Sequence, residues 1–192
     1  MSEQIWWYLS RATGIVAAVL LLMSLVLGML MTTRLLRSVD RPAWLLAMHR
    51  WSSGLAVLAT AGHVAALVAD NYVEFGVSEI LVPFASEWKT TGVALGVVSM
   101  YVLVIVQATS LMMRRIPRQI WRKIHLGAYG SAWTAVMHAG LSGTDTSNRV
   151  YRVVALIVIV AAMSLAVVRV SRSDVRSTSR SRTPTETNVT RP

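Results

Sequence analysis

Long apolar runs, separated by short charged connections, organise this chain. Five stretches have the length and apolar character of bilayer-crossing α-helices, at about 14–33, 44–69, 91–113, 120–141 and 150–168. A surface helix of a globular protein needs one apolar stripe, whereas a helix in lipid is apolar on every side, as these runs are. The pattern predicts an all-α, polytopic membrane helix bundle with about five transmembrane helices.

The two ends of the chain differ from these runs. Residues 171–192 are rich in Ser, Thr and Arg and have too few apolar residues to fold alone. We therefore expect a transmembrane domain over residues 1–170, followed by a disordered basic tail that favours anionic lipid or, alternatively, docks a partner. The start, MSEQIWWYLSR, does not resemble a cleaved signal peptide.

The net charge of +10 invites a nucleic-acid function, but the distribution of the charges argues against one. Most basic residues lie on alternate sides of the spans, and so on one membrane face: Arg34, Arg37, Arg41, Arg50, Arg114, Arg115, Arg118, Arg122, Lys123, Arg169, Arg172, Arg176, Arg180, Arg182 and Arg191. The positive-inside rule makes that face cytoplasmic. We expect an inner-membrane, multi-pass protein with membrane lipid as its surroundings, its N-terminus outside and its C-terminus in the cytoplasm.

All four histidines lie in two of the spans, and they are paired at nearly the same spacing. His49 and His63 are in the second span, and His125 and His138 are in the fourth. Each pair is separated by roughly 20 Å along its helix, most of the ~30 Å apolar thickness of a bilayer. Both helices run outward, so each depth holds one histidine from each helix, as bis-imidazole ligation of haem iron requires.

The spacing predicts two stacked b-type haems between the second and fourth spans, with the four histidines as iron ligands. The absence of cysteine excludes disulfides, iron–sulfur clusters and covalently attached haem. Hydrogen-bonded packing of the histidines is the alternative, although ionisable side chains inside a membrane are functional by default. His138 follows His125 by thirteen residues, which in a regular helix places it about 140° away from the face that contains His125. We therefore expect a π-bulge or kink near Gly127 and Gly130.

Several motifs together resemble the ferric reductase-like transmembrane domain superfamily. They are WYLSRATG, HRW followed by GH, LVPFASEW, and RRIPRQIWRKIH followed by MHAG, and they cover about residues 5–168. The resemblance implies that His49 and His125 ligate an inner haem, and that His63 and His138 ligate an outer one. It also implies electron transfer from a cytoplasmic flavin to an acceptor outside.

The electron donor is expected to be a separate molecule. Oxidase members of the superfamily continue into a flavin- and nicotinamide-binding region, whereas no GxGxxG motif occurs here. The chain therefore resembles stand-alone haem subunits, such as that of the bacterial methionine sulfoxide reductase system. We expect the membrane electron-transfer subunit of an oxidoreductase, supplied by a cytoplasmic flavin reductase or by quinol. Flavin would enter only through a partner.

Two other function classes stay open: a quinol-linked cytochrome b subunit, and a non-catalytic accessory subunit of a larger membrane complex. Quinol:cytochrome c reductases also space paired histidines about 14 residues apart, but their PEWY motif is absent here. Basic side chains near the histidines are candidate partners for haem propionates, or simply topology charges: Arg11, Arg50, Arg122 and Lys123. Gly92 and Gly96 form a GxxxG motif, suited either to a dimer face or to close packing within the bundle.

Overall fold

Four long helices and one short helix make up the part of the chain that the structure describes. This computed structural model describes residues 3–33, 43–70, 75–143, 149 and 153. The helices are α1 (Glu3–Thr33), α2 (Ala43–Ala69), α3 (Val77–Leu81), α4 (Thr90–Leu111) and α5 (Arg118–Ser142). The all-α fold class is confirmed. Apart from residue 153, the predicted span 150–168 lies outside the described residues, as does the tail 171–192.

Three of these helices are long and apolar enough to cross a membrane: Gln4–Thr32 within α1, the whole of α2, and the whole of α4. The chain is therefore a multi-pass membrane protein. The fourth predicted span is the helix α5, which is less apolar because it carries both histidines and several hydroxyl side chains. The second and fourth spans of the sequence prediction correspond to α2 and α5.

Helix α1 begins at Glu3, well before the predicted start at residue 14. The polar residues that suggested a later start are accommodated by bonds to the helix backbone. Ser10 Oγ donates to the Trp7 carbonyl at 2.9 Å, and Thr13 Oγ1 donates to the Leu9 carbonyl at 2.6 Å. Because these hydroxyls bond within the helix, it continues through the polar stretch.

Two antiparallel hairpins, α1–α2 and α4–α5, form the bundle. Contacts place the start of α1 beside the end of α2, and the start of α4 beside the end of α5. The helices α2 and α5 run in the same direction, because His49 lies beside His125 and His63 lies beside His138. Each hairpin packs closely within itself, and far fewer contacts join one hairpin to the other.

The core of the bundle is a layer at mid-height to which all four long helices contribute one side chain. Its members are Leu21, Ala56, Leu103 and Ala132. Ala56 is fully buried, and Ala132 is 4% exposed. Since Ala56 is seven residues from both His49 and His63, this middle layer separates the upper and lower parts of the bundle.

The connection from α2 to α4, which the structure describes from Phe75 onward, includes α3. Phe75 and Trp88 meet edge to face at 6.2 Å, and Tyr101 Oη donates to the Leu81 carbonyl at 2.6 Å. Lys89, just before α4, donates to the Ser142 carbonyl at 3.3 Å. These contacts fix the segment against the end of the bundle that contains His63 and His138.

Candidate functional site

The structure brings the four histidines together as two pairs, each with one ring from α2 and one from α5. The ring centroids of His49 and His125 are 6.0 Å apart, and those of His63 and His138 are 6.3 Å apart. The ring planes within the pairs are inclined at 73° and 75°. All four side chains are half-buried.

Both histidines of α2 are held by backbone carbonyls of α1. His49 Nδ1 lies 2.9 Å from the Ser24 carbonyl oxygen, and His63 Nδ1 lies 2.7 Å from the Ser10 carbonyl oxygen. A carbonyl oxygen only accepts hydrogen bonds, so Nδ1 of both rings must carry the proton.

Both histidines of α5 are held by α4. His138 Nδ1 lies 2.8 Å from the Gly92 carbonyl oxygen, and His125 Nδ1 lies 3.2 Å from Ser110 Oγ. The Ser110 hydroxyl donates its only proton to the Val106 carbonyl at 2.7 Å. Its oxygen therefore accepts from His125, whose Nδ1 is protonated like that of the other three rings.

The shared tautomer decides what the rings can bind. A neutral imidazole with its proton on Nδ1 has its lone pair on Nε2, and this is the usual preparation of a metal-ligating histidine. Two such rings cannot hydrogen-bond each other through Nε2, because both atoms are acceptors. Each pair therefore has two nitrogen lone pairs, one on each Nε2, that suit the coordination of one metal ion.

The spacing of the rings also fits this chemistry. Two imidazoles bound to opposite sides of one ion, with metal–nitrogen bonds of about 2.0–2.1 Å, would have ring centroids roughly 6.3 Å apart. Both pairs meet this distance. Edge-to-face packing of two rings without a metal gives similar centroid distances. The common tautomer, and not the distance, is therefore the stronger sign of metal binding. No group of three or more His, Cys, Asp or Glu side chains suited to a metal occurs among the described residues.

Glycines on α1 and α4 allow the rings to approach the carbonyls. A Cβ at Gly14 would lie 2.9 Å from His63 Nδ1, and one at Gly96 would lie 2.7 Å from His138 Nδ1. A Cβ at Gly28 would lie 3.4 Å from His49 Cε1. Gly92 lies against Leu141 and Ser142, so both glycines of the GxxxG motif pack against α5 within the bundle.

The expected π-helical irregularity in α5 was wrong: the helix is α-helical from Arg118 to Ser142. The helix nevertheless brings His125 to His49 and His138 to His63 across the thirteen-residue spacing. The bonds to Ser110 and Gly92 then fix the orientations of His125 and His138 separately.

The four basic candidates lie near the two ends of the bundle. Arg11 is next to Ser10, at the His63–His138 end, and its guanidinium carbon is 4.2 Å from the centroid of the Trp7 ring. At the other end the exposed side chains of Arg50, Arg122 and Lys123 lie beside His49 and His125 in sequence. Trp121 stacks on the ring of His125 at 5.0 Å.

Comparison with known proteins identifies the family. Residues 13–139 match the family described as ferric reductase like transmembrane component. The chain belongs to this family. Membership in this family indicates a function in electron transfer across a membrane. No curated protein and no solved structure gives a significant match.

The sequence prediction missed the residues of this ferric reductase-like domain that hold the histidines or leave room for their rings: Ser10, Gly14, Ser24, Gly28 and Ser110. It named Gly92 and Gly96 only as a packing motif. A signal for them exists in the sequence. Gly14 and Gly28 are fourteen residues apart, as are Gly96 and Ser110, and the same spacing separates His49 from His63. On α1 this spacing equals that of the histidines on α2, whereas the histidines on α5, beside α4, are thirteen residues apart.

Proposed function

We propose that this chain transfers electrons across the cytoplasmic membrane through two b-type haems. His49 and His125 would hold the inner haem, and His63 and His138 the outer haem. The observation that carries the proposal is the common tautomer of the paired rings, with Nδ1 of all four histidines bonded to a neighbouring helix. Bound haem supplies one-electron redox chemistry at each depth.

The residues around the pairs support this assignment. The hydrogen bonds at Nδ1 orient each ring and raise the basicity of Nε2. The few contacts between the two hairpins leave room for flat macrocycles, and the middle layer packs the bundle between the two depths. Arg11 is the proposed propionate partner of the outer haem. Arg50, Arg122 and Lys123 are the proposed partners of the inner haem.

Charge supports the proposed direction of transfer. Exposed basic residues cluster at the His49–His125 end, around the connection between α4 and α5: Arg114, Arg115, Arg118, Arg122 and Lys123. The positive-inside rule makes this end cytoplasmic. An anionic flavin, or a flavoprotein with an acidic face, would be attracted to it, and the acceptor would lie outside the membrane.

Haem content tests the proposal directly. Protein expressed with ample haem supply and purified in detergent should hold two b-type haems per chain by the pyridine haemochrome assay. Both should be low-spin, with sharp α-bands after reduction, because each iron has two imidazole ligands. A folded but colourless preparation would refute the proposal.

A further inference from the structure

Three of the four histidines meet the same local arrangement on the neighbouring helix. The carbonyl that accepts from Nδ1 belongs to the residue four positions before a glycine, so the missing Cβ opens the way to that carbonyl. The carbonyl and glycine residues are Ser10 and Gly14, Ser24 and Gly28, and Gly92 and Gly96.

The fourth position departs from this arrangement. Ser110 lies fourteen residues after Gly96, where the spacing on α1 would place a glycine. The corresponding carbonyl belongs to Val106, four residues earlier, and it accepts from Ser110 Oγ at 2.7 Å. His125 then bonds to Ser110 Oγ at 3.2 Å instead of reaching the carbonyl.

The Ser110 hydroxyl therefore acts as a relay between His125 and the backbone of α4. Its oxygen also accepts a long bond from Trp121 Nε1 at 3.5 Å, so two donors share it. The bonds from the other three histidines to carbonyls are shorter, at 2.7 to 2.9 Å. Ser110 Oγ is consequently a weaker acceptor for His125 than the backbone carbonyls are for the other three histidines.

A weaker acceptor at Nδ1 changes the metal-binding nitrogen on the other side of the ring. Strong bonds at Nδ1 make the imidazole a more basic ligand, and a basic ligand stabilises the oxidised iron. His125 should be the least basic of the four ligands. A haem bound by His49 and His125 would then be easier to reduce than the same haem with a carbonyl at both rings.

We propose that Ser110 is the positioning residue of His125, and that its hydroxyl, which takes the place of a backbone carbonyl, sets the reduction potential of the His49–His125 site higher than a carbonyl would. The proposal rests on the proposed function, because it assumes that this pair binds haem. One side chain would thus set the reduction potential of one of two otherwise similar sites.

Three substitutions at one position separate this role from a purely structural one. Ser110→Gly removes the Cβ and lets the His125 ring reach the Val106 carbonyl, so the potential of one haem should fall. Ser110→Ala keeps the Cβ but leaves Nδ1 of His125 without the hydroxyl, so the potential of the same haem should rise. Ser110→Thr keeps the hydroxyl and should leave the potential unchanged.

Redox titration of the purified haem protein, followed at the α-bands, measures these shifts. We expect Ser110→Gly to change the ratio of ferric to ferrous stability by about tenfold, which is 59 mV for a one-electron couple. Thr109→Ala is the matched control, because it removes a hydroxyl that also bonds to the Val106 carbonyl but does not hold a histidine. It should shift neither haem.

Gly96→Ala identifies the second haem, because its Cβ would collide with His138 alone of the histidines. Shifts in opposite directions for the glycine and alanine variants, confined to the haem that Gly96→Ala leaves unperturbed, would support the proposal. Equal potentials in all three Ser110 variants would overturn it while leaving the haem assignment intact. A preparation without haem would instead refute the proposed function.

Discussion

At the scale of single residues, the position of one proton determines the chemistry of each histidine. All four rings donate from Nδ1 to α1 or α4, which leaves the lone pair on Nε2 for the proposed metal. Replacing one histidine should therefore affect one depth only, because the two sites share no ligand.

We expect His49→Ala to lose the inner haem and His63→Ala to lose the outer haem, each leaving about one haem per chain. Haem content and the two α-bands measure the loss. Met48→Ala is a suitable control for the first variant, because Met48 is the exposed neighbour of His49, and it should keep both haems. Selective loss of the same haem in His49→Ala and His138→Ala would contradict the pairing.

The pairing of the histidines at two depths could be predicted from sequence because rare ionisable residues in apolar runs stand out, and because helix rise converts their spacing into depth. The groups that hold them could not. Three of the acceptors are backbone carbonyls, which every residue possesses, so Ser10 and Ser24 carry no distinctive signal. The relay through Ser110 depends on a rotamer, which only the structure reveals.

At the scale of elements, the bundle consists of two hairpins joined at the middle layer. Ala56 is central to it, since this residue is fully buried between the two histidine depths. A larger side chain there must push the hairpins apart or distort α2.

We expect Ala56→Leu to lower the free energy of unfolding by about 1–3 kcal/mol, because overpacking a tight core forces shifts in side chains and backbone. It should also reduce haem occupancy at both depths. Ala61→Leu makes the same change at an exposed position of α2 and should have little effect. Thermal denaturation in detergent, with haem absorbance as a second readout, compares the two variants. Equal stability of both would contradict the proposed importance of the middle layer.

The extents of α2, α4 and α5 could be predicted closely, because long apolar runs have clear limits. The start of α1 could not, since Ser10, Arg11 and Thr13 resemble the polar end of a span. The hydroxyls of Ser10 and Thr13 bond to backbone carbonyls within the helix, and the Arg11 side chain lies over Trp7. The π-bulge expected in α5 was wrong, because the helix is α-helical throughout.

At the scale of the whole molecule, the charges of the described residues differ between the two ends. Basic residues surround the His49–His125 end, whereas Asp70, Glu79 and Glu87 lie in or beside the connection from α2 to α4, at the other end. The proposed orientation follows from this difference.

Single cysteines can test the orientation, because the natural sequence has none. With Glu87→Cys, a membrane-impermeant maleimide should label the protein in intact cells. Arg118→Cys should be labelled only after the cells are permeabilised, since position 118 lies on the basic face. Both positions are exposed, so the labelling of either one reports its side of the membrane. The reverse pattern would invert the proposed direction of electron transfer.

The basic end also predicts how electrons enter. Reduced flavin phosphate should reduce the inner haem before the outer haem, and its rate should fall as salt rises, because the Debye length is only about 8 Å at physiological ionic strength. Stopped-flow absorbance at the α-bands measures the order and the rate. Neutral reduced lumiflavin provides a control whose rate should depend little on salt. Fast reduction by menaquinol, with failure of flavin donors at every ionic strength, would favour a quinol-linked cytochrome b.

The middle layer has a consequence for the energetics of the membrane. Residues 50–62 and 126–137 separate the histidines on each helix, and Arg50 is the single acidic, basic or histidine residue among them. Each electron that crosses without an accompanying proton would move one elementary charge, worth about 2.3 kcal/mol per 100 mV of membrane potential. With a negative interior the voltage would drive electrons outward, and continued turnover would discharge it. Such electron transfer would be electrogenic, and its rate would depend on the membrane potential.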